Sequence, residues 1–493
     1  MLSYRARRDN LLARFDFVQR AGMTEIPMTS TNYGQFATKS GKIAKKLQEM
    51  YLDRKKSKVY TKNISHNRGL NKMPYSEPTT LAVIACPGGQ AFASEVVAHL
   101  RHMYKHRFSL KSDVISKRYN LDKAELVKQM NLDNDLKTSD LCIRGPIEKY
   151  RPPVFEIKTR FTYFANGEFK TELLESVRGK DVFIFQDVEN HEVISLNDGA
   201  TKQVLSVNDH VMTLLVTIDA VRQAGAKQIT LVVPAYPYSR QHKKKGREGL
   251  TASLLGHFYE FMGVTRLITL DIHSREIVNA FNTTHLENLH ASYQIIRELS
   301  KIVNLQGENK ENLVVVSPDT GAIDRNKFYA TGLKVPLAMI YKERDYSVVT
   351  QDAKNTNIKS VKLLGDVHGK VAFMADDMLG TGGTLLKAME FLHNSGATKV
   401  IAAISLPFFT GNAIKQFDEA YEKGLFYRII GTNAVYHEEL LKREWYISTN
   451  VSGLFANVIT RLHHDQGLSD LLENRDIIER LIKKSTGEDS SEE

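Results

Sequence analysis

The stretch that decides the fold reads VAFMADDMLGTGGT and runs from Val371 to Thr384. Its apolar first part predicts a buried strand over residues 371–375, and the amphipathic run 385–392 that follows predicts a helix. A glycine-rich turn between a strand and a helix presents backbone N–H groups at the positive end of the helix dipole, where a phosphate binds. The stretch therefore predicts an α/β fold with a phosphate site at this turn.

Two adjacent carboxylates immediately precede the turn. Asp376 and Asp377 are placed to accept hydrogen bonds from sugar hydroxyls or to hold a hydrated Mg²⁺ ion. The phosphate itself would lie against four residues of the turn, which are Thr381, Gly382, Gly383 and Thr384. Glycine-rich turns alone are weak signals, because many are simply tight turns. The aspartate pair and the two threonines at this spacing favour a sugar phosphate as the ligand.

Length and composition bound the class of protein. At 493 residues, of which 42% are hydrophobic, the chain is long enough for about three structural units. The longest apolar stretch, residues 400–409, is interrupted by Ser405 and Pro407 and is too short to span a bilayer, so a soluble protein is expected. The two cysteines, Cys86 and Cys142, exclude a disulfide framework and fit a reducing, cytoplasmic compartment.

The net charge of +10 is concentrated at the start of the chain. Residues 1–77 contain 16 Lys and Arg against 6 Asp and Glu, so the remainder is near neutral. We expect a solvated, partly helical surface segment, since no aromatic RNA-binding signature accompanies the charge and nucleic-acid binding is the weaker alternative. An organellar transit peptide is the weaker alternative too, because Asp9 and Asp16 interrupt the Arg-rich start.

Motifs along the chain resemble those of one enzyme family. The 371–384 stretch is similar to the phosphoribosyl diphosphate (PRPP) loop shared by type I phosphoribosyltransferases and ribose-phosphate diphosphokinases, the PRPP synthetases. Further segments occur in the order of the synthetases: YFANGE (163–168) with ESVRGKDV (175–182), PAYPYSRQHKK (234–244), TLDIHS (269–274), VSPDTG (316–321) and IYKER (340–344). The resemblance covers roughly residues 81–472. A phosphoribosyltransferase would carry only the PRPP loop and a hood over the nucleobase, so the synthetase reading is the more specific.

The resemblance implies a reaction and a role for each motif. The diphosphoryl group of ATP would pass to the anomeric hydroxyl of ribose-5-phosphate, giving PRPP and AMP for nucleotide biosynthesis, in a Mg²⁺-dependent oligomer of dimers that build hexamers. The implied ATP contacts are Phe164, Asn166 and Glu168, which can serve a neighbouring subunit, together with Arg240 and Gln241. The implied metal ligands are His273 and Asp319, the catalytic cations are Lys342 and Arg344, and the carboxylate pair and the turn bind ribose-5-phosphate.

Each of these residues has an ordinary structural explanation as well. Alone, a Phe such as Phe164 is usually part of a core, and a His after a strand, such as His273, is often a hydrogen-bonded surface group. Asp319 follows Pro318 and could simply start a turn. The Lys-Glu-Arg triplet at 342–344 is a common surface pattern. Only the order and context of the motifs favour the functional explanation.

The alternation of strands and helices predicts the fold class. We expect two type I phosphoribosyltransferase-like α/β domains, each a parallel sheet flanked by helices. The predicted divisions are a basic extension over 1–78, an N-terminal synthetase domain over 79–310 with an insertion at about 106–154, a C-terminal phosphoribosyltransferase-like domain over 311–448, and a segment over 449–493 with an acidic tail.

Three features depart from the family pattern. Gly380 stands where most synthetases carry Asp, the loop over 345–361 is longer than usual, and the insertion at 106–154 is atypical. Loss of the carboxylate removes a contact to the ribose, unless Gly380 serves a positive φ angle in the turn, which we favour. These departures keep open a second class of function, a non-catalytic regulatory subunit of a synthetase assembly. Control by phosphate or ADP stays open too.

Overall fold

The computed structural model describes residues 80–137, 150, 152–244, 246–305, 312–344 and 358–484. Within these ranges, two sheets of mainly parallel strands are flanked by helices, which confirms the expected fold class. No helix among these residues combines the length and the apolar character needed to cross a membrane.

The chain order of the elements places two short hairpins between strands of the first sheet. The strands are β1 (Leu81–Ala85), β2 (Thr159–Tyr163), β3 (Phe169–Leu173), β4 (Asp181–Phe185), β5 (Val193–Leu196), β6 (Thr201–Val204), β7 (Gln228–Val232), β8 (Arg266–Leu270), β9 (His285–Leu289), β10 (Leu313–Ser317), β11 (Leu337–Arg344), β12 (Ile358–Leu364), β13 (Val371–Leu379), β14 (Lys399–Pro407), β15 (Arg428–Thr432) and β16 (Tyr446–Thr449). The helices are α1 (Gln90–Tyr119), α2 (Lys123–Lys137), α3 (Val207–Gln223), α4 (Thr251–Phe261), α5 (Ser292–Ile302), α6 (Ile323–Leu333), α7 (Gly383–Asn394), α8 (Ala413–Glu422), α9 (Glu438–Leu441), α10 (Ser452–His463), α11 (Ser469–Leu472) and α12 (Arg475–Lys484). Short 3₁₀ turns cover Asn197–Gly199 and Arg275–Ala280.

The first sheet has the strand order β1-β4-β7-β8-β9, with every neighbouring pair parallel. All five residues of β4 are buried, because helices cover both faces of a parallel sheet. α3 begins with a capping box in which Ser206 and Asp209 exchange side-chain and backbone hydrogen bonds. This cap fixes the start of the helix beside the candidate site.

The second sheet has the order β12-β11-β10-β13-β14-β15-β16. β10 has the sequence LVVVS, and its five residues are all buried. The expectation of a wholly parallel sheet is wrong at one edge, because β12 runs antiparallel to β11. β12 is the strand after β11 in the described part of the chain, and the pairing sets Met339 opposite Leu364 and Arg344 opposite Ile358.

β13 is longer than the sequence predicts. We expected the strand to end at Ala375 and the carboxylates to follow it, but the strand continues to Leu379. Pairing with β14 causes the extension, since Asp376 lies opposite Ile404 and Leu379 opposite Pro407. Both carboxylates therefore project from a strand whose direction is fixed by the sheet.

Helix α1 crosses the expected start of the insertion. The sequence placed that start at about residue 106, yet one continuous helix extends from Gln90 to Tyr119. Phe92 on α1 packs edge-on against Phe455 on α10, with ring centroids 5.0 Å apart. The segment after residue 449 thus packs on a helix of the first half. The domain divisions stay a prediction, and the extension, Cys142, the tail and the loop over 345–357 lie outside the described residues.

Candidate active site

A cavity of about 400 Å³ lies at the carboxyl ends of β8, β10 and β13. Ligands of open α/β sheets bind at this edge, because loops from several strands converge there. Its lining brings together most of the residues singled out in the sequence: Arg240, His273, Asp319, Asp376, Asp377, Thr381, Gly382, Gly383 and Thr384. Motifs separated by more than 140 positions in the chain thus share one cavity.

The glycine-rich turn has the geometry of an anion site. Gly382 is the residue that precedes α7 and has a φ of 73°. A side chain there would be strained by this angle and would overlap the ring of Phe417. Gly382 has no side chain with which to cap α7, so the first N–H groups of the helix stay available on the side of the cavity. An N-terminus of this kind stabilises a phosphate through its aligned donors and the helix dipole.

The pKa values of the two adjacent carboxylates shift in opposite directions. Asp377 Oδ2 accepts a hydrogen bond from His273 Nδ1 at 2.6 Å. Burial raises the pKa of Asp377, but the hydrogen bond from His273 and the charge of Arg325 outweigh this effect and hold the pKa at about 2. Burial and the neighbouring negative charge of Asp377 raise the pKa of Asp376 well above its usual range. A cation or a hydroxyl donor in the cavity would stabilise the ionised form of Asp376.

Arg325 is a site residue that sequence reasoning missed. It follows Asp319 in the first turn of α6 and lines the same cavity. Its Nη1 lies 3.9 Å from Asp271 Oδ1. Burial lowers the pKa of Arg325, but the carboxylates of Asp271, Asp377 and Asp376 outweigh burial and raise it. Nothing local in the sequence distinguishes this residue from a surface arginine, because its partners come from distant strands.

The carboxylate of Asp271 forms hydrogen bonds that connect the two sheets next to the cavity. Its oxygens accept hydrogen bonds from His290 Nδ1 at 2.8 Å, the backbone N–H of Ala291 at 3.1 Å and Ser405 Oγ at 2.6 Å. Burial raises the pKa of Asp271, but His290 and Arg325 outweigh it and hold the pKa far below its usual range. Since Ser405 belongs to β14, this carboxylate connects the end of β8 to the second sheet. It also fixes the chain just before His273.

The two expected metal ligands, His273 and Asp319, line the same cavity, and different hydrogen bonds hold their side chains. A carboxylate can only accept, so His273 donates its Nδ1–H to Asp377 and keeps a lone pair on Nε2 when it is neutral. Asp319 Oδ1 accepts the N–H groups of Gly321 at 2.9 Å and Ala322 at 3.0 Å, so this residue does start a turn. Among the described residues, no group of three or more His, Cys, Asp or Glu is arranged to hold a metal ion.

A second cavity of about 740 Å³ adjoins the first. The two share Arg240, Met378 and Gly380, and Gln241 lines only the larger one. Aromatic and aliphatic side chains form much of its wall: Val204, Leu205, Val207, Tyr236, Tyr238 and Phe408. The expected adenine contacts Phe164, Asn166 and Glu168 line neither of these two cavities. The structure therefore does not bring these three residues to the ATP contacts of their own chain.

Gly380 lies between the two cavities, and our expectation about its backbone is wrong. Gly382, and not Gly380, is the residue of this turn with a positive φ. A Cβ atom at position 380 would meet nothing closer than 3.6 Å, where Arg240 Nη1 and Thr410 Oγ1 lie. These are ordinary van der Waals distances, so a side chain fits here. The nearest charged group would be the guanidinium of Arg240.

The expected catalytic cations are placed only through their backbone. Lys342 and Arg344 belong to β11, which pairs antiparallel with β12, and their side chains lie outside the described residues. The pairing between β11 and β12 shifts register between Glu343 and Arg344. The catalytic roles stay predictions.

Comparisons with known proteins agree with this geometry. The model for the N-terminal domain of ribose phosphate pyrophosphokinase matches residues 152–263, and the phosphoribosyl transferase domain model matches residues 282–439. Ribose-phosphate pyrophosphokinase A of Dictyostelium discoideum is 36% identical over 310 residues, which cover 62% of this chain and 87% of that protein. Ribose-phosphate pyrophosphokinase of Bacillus subtilis is 32% identical over 317 residues, which cover 64% of this chain and 89% of that protein.

A solved structure supports the same fold. The phosphoribosylpyrophosphate synthetase of Mycobacterium smegmatis superposes with a TM-score of 0.56 at 24% identity, covering 78% of this chain and 100% of the other. At this level of identity the likeness concerns the fold alone. The family follows from the relatives, which match this chain over nearly nine tenths of their own length at more than 30% identity. The chain therefore belongs to the ribose-phosphate pyrophosphokinase family.

Proposed function

We propose that this protein transfers the diphosphoryl group of ATP to ribose-5-phosphate, giving PRPP and AMP. The observation that carries the proposal is the single cavity in which a helix N-terminus, two carboxylates and the Arg240 side chain converge. In the reaction, the anomeric oxygen of the sugar bonds to the β-phosphorus of ATP, the bond between that phosphorus and the bridging oxygen of AMP breaks, and the hydroxyl loses its proton. A regulatory subunit is not favoured, because the relatives carry the name of the enzyme.

Ribose-5-phosphate is assigned to the turn before α7. Its phosphate would accept hydrogen bonds from the N–H groups and hydroxyls of residues 381–384, and its ring hydroxyls would donate to Asp376 and Asp377. Sugar hydroxyls favour an ionised acceptor, so binding would lower the raised pKa of Asp376. The lost carboxylate at Gly380 leaves this arrangement intact, since neither the turn nor the aspartate pair depends on it.

Mg²⁺ is assigned to the part of the cavity between His273 and Asp319. Mg²⁺ is usually held by one or two carboxylates together with water and substrate phosphates, so a protein cluster of three ligands is not required. The Asp319 carboxylate fits that pattern, and the lone pair on Nε2 of neutral His273 would be a further ligand on the opposite side of the ion. The ion would neutralise charge on the phosphates of ATP. Arg325 would contribute a permanent positive charge beside it.

Transition-state stabilisation is assigned to Lys342 and Arg344. Phosphoryl-type transfer spreads negative charge over phosphate oxygens and needs little covalent chemistry from the protein, so positioned cations contribute most. Both residues follow the middle of β11, next to the strand β10 that leads to Asp319.

ATP is assigned to Arg240 and Gln241, with the adenine completed by a second copy of the chain. The turn that carries Phe164, Asn166 and Glu168 lines neither cavity, and Phe164 is 43% exposed. A large aromatic side chain presented in this way fits a contact to a neighbouring subunit. The active form would therefore be a homo-oligomer. We place it in the cytoplasm, in keeping with the family's metabolic role.

The primary test is release of AMP from ATP with ribose-5-phosphate and Mg²⁺ present. The expected result is AMP formation that requires all three components. AMP formation that is independent of ribose-5-phosphate would contradict the proposal.

The shared site is tested by mixing two variants, each of which has low activity at an ATP concentration well below saturation. Phe164→Ala and Lys342→Ala damage different halves of a shared site, so mixed oligomers contain some sites in which both residues are intact. We expect activity to return on mixing after dissociation and reassembly. A mixture that stays as inactive as its components would mean that Phe164 serves its own chain.

A further inference from the structure

The turn proposed to contact adenine is held in shape by hydrogen bonds between its own residues. Residues 164–168, here called the tip, connect β2 to β3. Phe164 N–H donates to Glu168 O at 2.9 Å, and Gly167 N–H donates to Phe164 O at 2.9 Å. Asn166 Oδ1 accepts from Glu168 N–H at 3.2 Å. Because these bonds set the shape of the tip from within, the direction in which it points depends on the strand residue that precedes it, Tyr163.

The side chain of Asn197 forms two hydrogen bonds with the backbone of Tyr163. Its Oδ1 accepts the N–H of Tyr163 at 2.8 Å, and its Nδ2 donates to the carbonyl oxygen of Tyr163 at 2.9 Å. A second hydrogen on Nδ2 is donated to Thr201 Oγ1 at 2.9 Å. In the β2–β3 pair, the N–H and C=O of Tyr163 point away from β3. The amide of Asn197 therefore takes the place of a neighbouring strand at the root of the tip.

The backbone around Asn197 is built to present this amide. Asn197, Asp198 and Gly199 all have positive φ angles, of 54°, 55° and 94°. Asn tolerates this conformation better than most residues, because its short polar side chain suits the left-handed region. β5 and β6 on either side pair antiparallel and hold the turn in place. Strain of this kind persists where the surrounding structure determines it, often at functional sites.

The β5–β6 hairpin also reaches the ATP contacts. Ile194, Leu196 and Leu205 form a small core against which Tyr163 and Phe169 pack. The rings of Tyr163 and Phe169 lie 4.9 Å apart. Leu205 and its neighbour Val204 line the larger cavity beside Arg240. One hairpin thus contacts both the root of the tip and the wall of the nucleotide cavity.

We propose that Asn197 is a positioning residue for ATP, because its amide fixes the backbone of Tyr163 and so directs Phe164, Asn166 and Glu168 toward the nucleotide. The proposal rests on the ATP role assigned to the tip. Asn197 does not touch the substrate. Its loss is therefore expected to weaken ATP binding and to leave the transfer step and the ribose-5-phosphate turn unaffected.

The test compares Asn197→Gly with the wild type. Glycine keeps the positive φ and removes the amide. We expect the KM for ATP to rise roughly tenfold, as two lost hydrogen bonds imply, with kcat and the KM for ribose-5-phosphate within about twofold. Amide hydrogen exchange of residues 163–168 should become faster. Asn197→Asp keeps the acceptor for Tyr163 N–H and loses the donor, so its KM should lie between the two.

A matched control is the neighbouring Asp198→Asn. Within the described part of the chain, the side-chain contact of Asp198 is an exposed one to Arg160, at 3.8 Å, and asparagine tolerates its backbone angles. For Asp198→Asn, the KM for ATP, kcat and the amide hydrogen exchange of residues 163–168 should match those of the wild type. Unchanged exchange over 163–168 in a folded Asn197→Gly protein would overturn the proposal, as would faster exchange with an unchanged KM for ATP. If the wild type releases no AMP, the proposed function is contradicted instead. The exchange measurement still tests whether the Asn197 side chain holds the backbone of residues 163–168.

Discussion

Restoring a carboxylate at position 380 is the sharpest test of how the two cavities divide the substrates. In Gly380→Asp, the new Cβ would lie 3.6 Å from Arg240 Nη1 and 3.7 Å from Nη2. The carboxylate oxygens lie two bonds beyond Cβ, so they can come within hydrogen-bonding distance of the guanidinium. The backbone is not in the left-handed region at Gly380, so no strain opposes the substitution.

The expected effect follows from the exposure of Arg240. An ion pair at an exposed arginine is worth about 0.2–1 kcal/mol. Breaking it when ATP binds costs the same amount, which corresponds to a rise in the KM for ATP of roughly 1.5- to 5-fold. The KM for ribose-5-phosphate should change less, because Arg240 would hold the carboxylate away from the sugar.

The assay is steady-state release of AMP with each substrate varied in turn. Gly380→Asn is the matched control, since it adds the same volume without the charge, and it should leave the KM for ATP near the wild-type value. The double variant Gly380→Asp with Arg240→Ala should show no further effect of the aspartate on ATP. The reasoning is refuted if Gly380→Asp lowers the KM for ribose-5-phosphate with ATP unaffected, because the carboxylate would then face the sugar.

Other perturbations separate the remaining roles. Lys342→Ala should lower kcat by several orders of magnitude with ATP binding largely retained, and a near-normal kcat would exclude the catalytic role. Asp376→Asn with Asp377→Asn should raise the KM for ribose-5-phosphate far more than that for ATP, whereas equal effects would assign the pair to the shared metal or the fold. Burial raises the pKa of Asp187 to about 7, so the ionised form destabilises the folded state as the pH rises toward 7. In urea unfolding, Asp187→Asn should gain stability relative to the wild type between pH 4 and pH 8, by up to about 4 kcal/mol at about 1.4 kcal/mol per pKa unit, and a difference independent of pH would contradict this assignment.

Much of the central fold could be predicted because its strands are continuous apolar runs. β10 is fully buried and has no polar interruption, so its bounds follow from the residues themselves. The helix α7 follows from its amphipathic pattern and the glycines before it. The end of β13 could not be predicted, because Asp376 and Asp377 interrupt the apolar pattern while hydrogen bonds to β14 continue the strand.

The two hairpins were missed for a different reason. β5 and β6 have four residues each, and neither contains a run long enough to distinguish a strand from a loop. Their stability comes from the small core around Leu196 and Leu205, which depends on partners elsewhere in the chain. Asn197 therefore carries no local signal, although three positive φ angles in succession mark its turn in the structure.

Some residues of the candidate site could be predicted from the sequence, and others could not. Residues within motifs, such as His273 and Asp319, were found because the order of motifs resembles a family. Arg325 was not, because its importance lies in the charges of Asp271, Asp376 and Asp377 around it. A burial pattern cannot predict such a residue, since the sequence alone gives no sign that these carboxylates meet.

The central claim is that the β- and γ-phosphorus atoms of ATP move together to the sugar. The most direct measurement follows ATP labelled at the β-phosphorus in the presence of ribose-5-phosphate and Mg²⁺. The account predicts that the label appears in a diphosphate ester on the anomeric carbon, in amounts equal to the unlabelled AMP released. Label recovered in ADP or in free diphosphate without the sugar ester would contradict it.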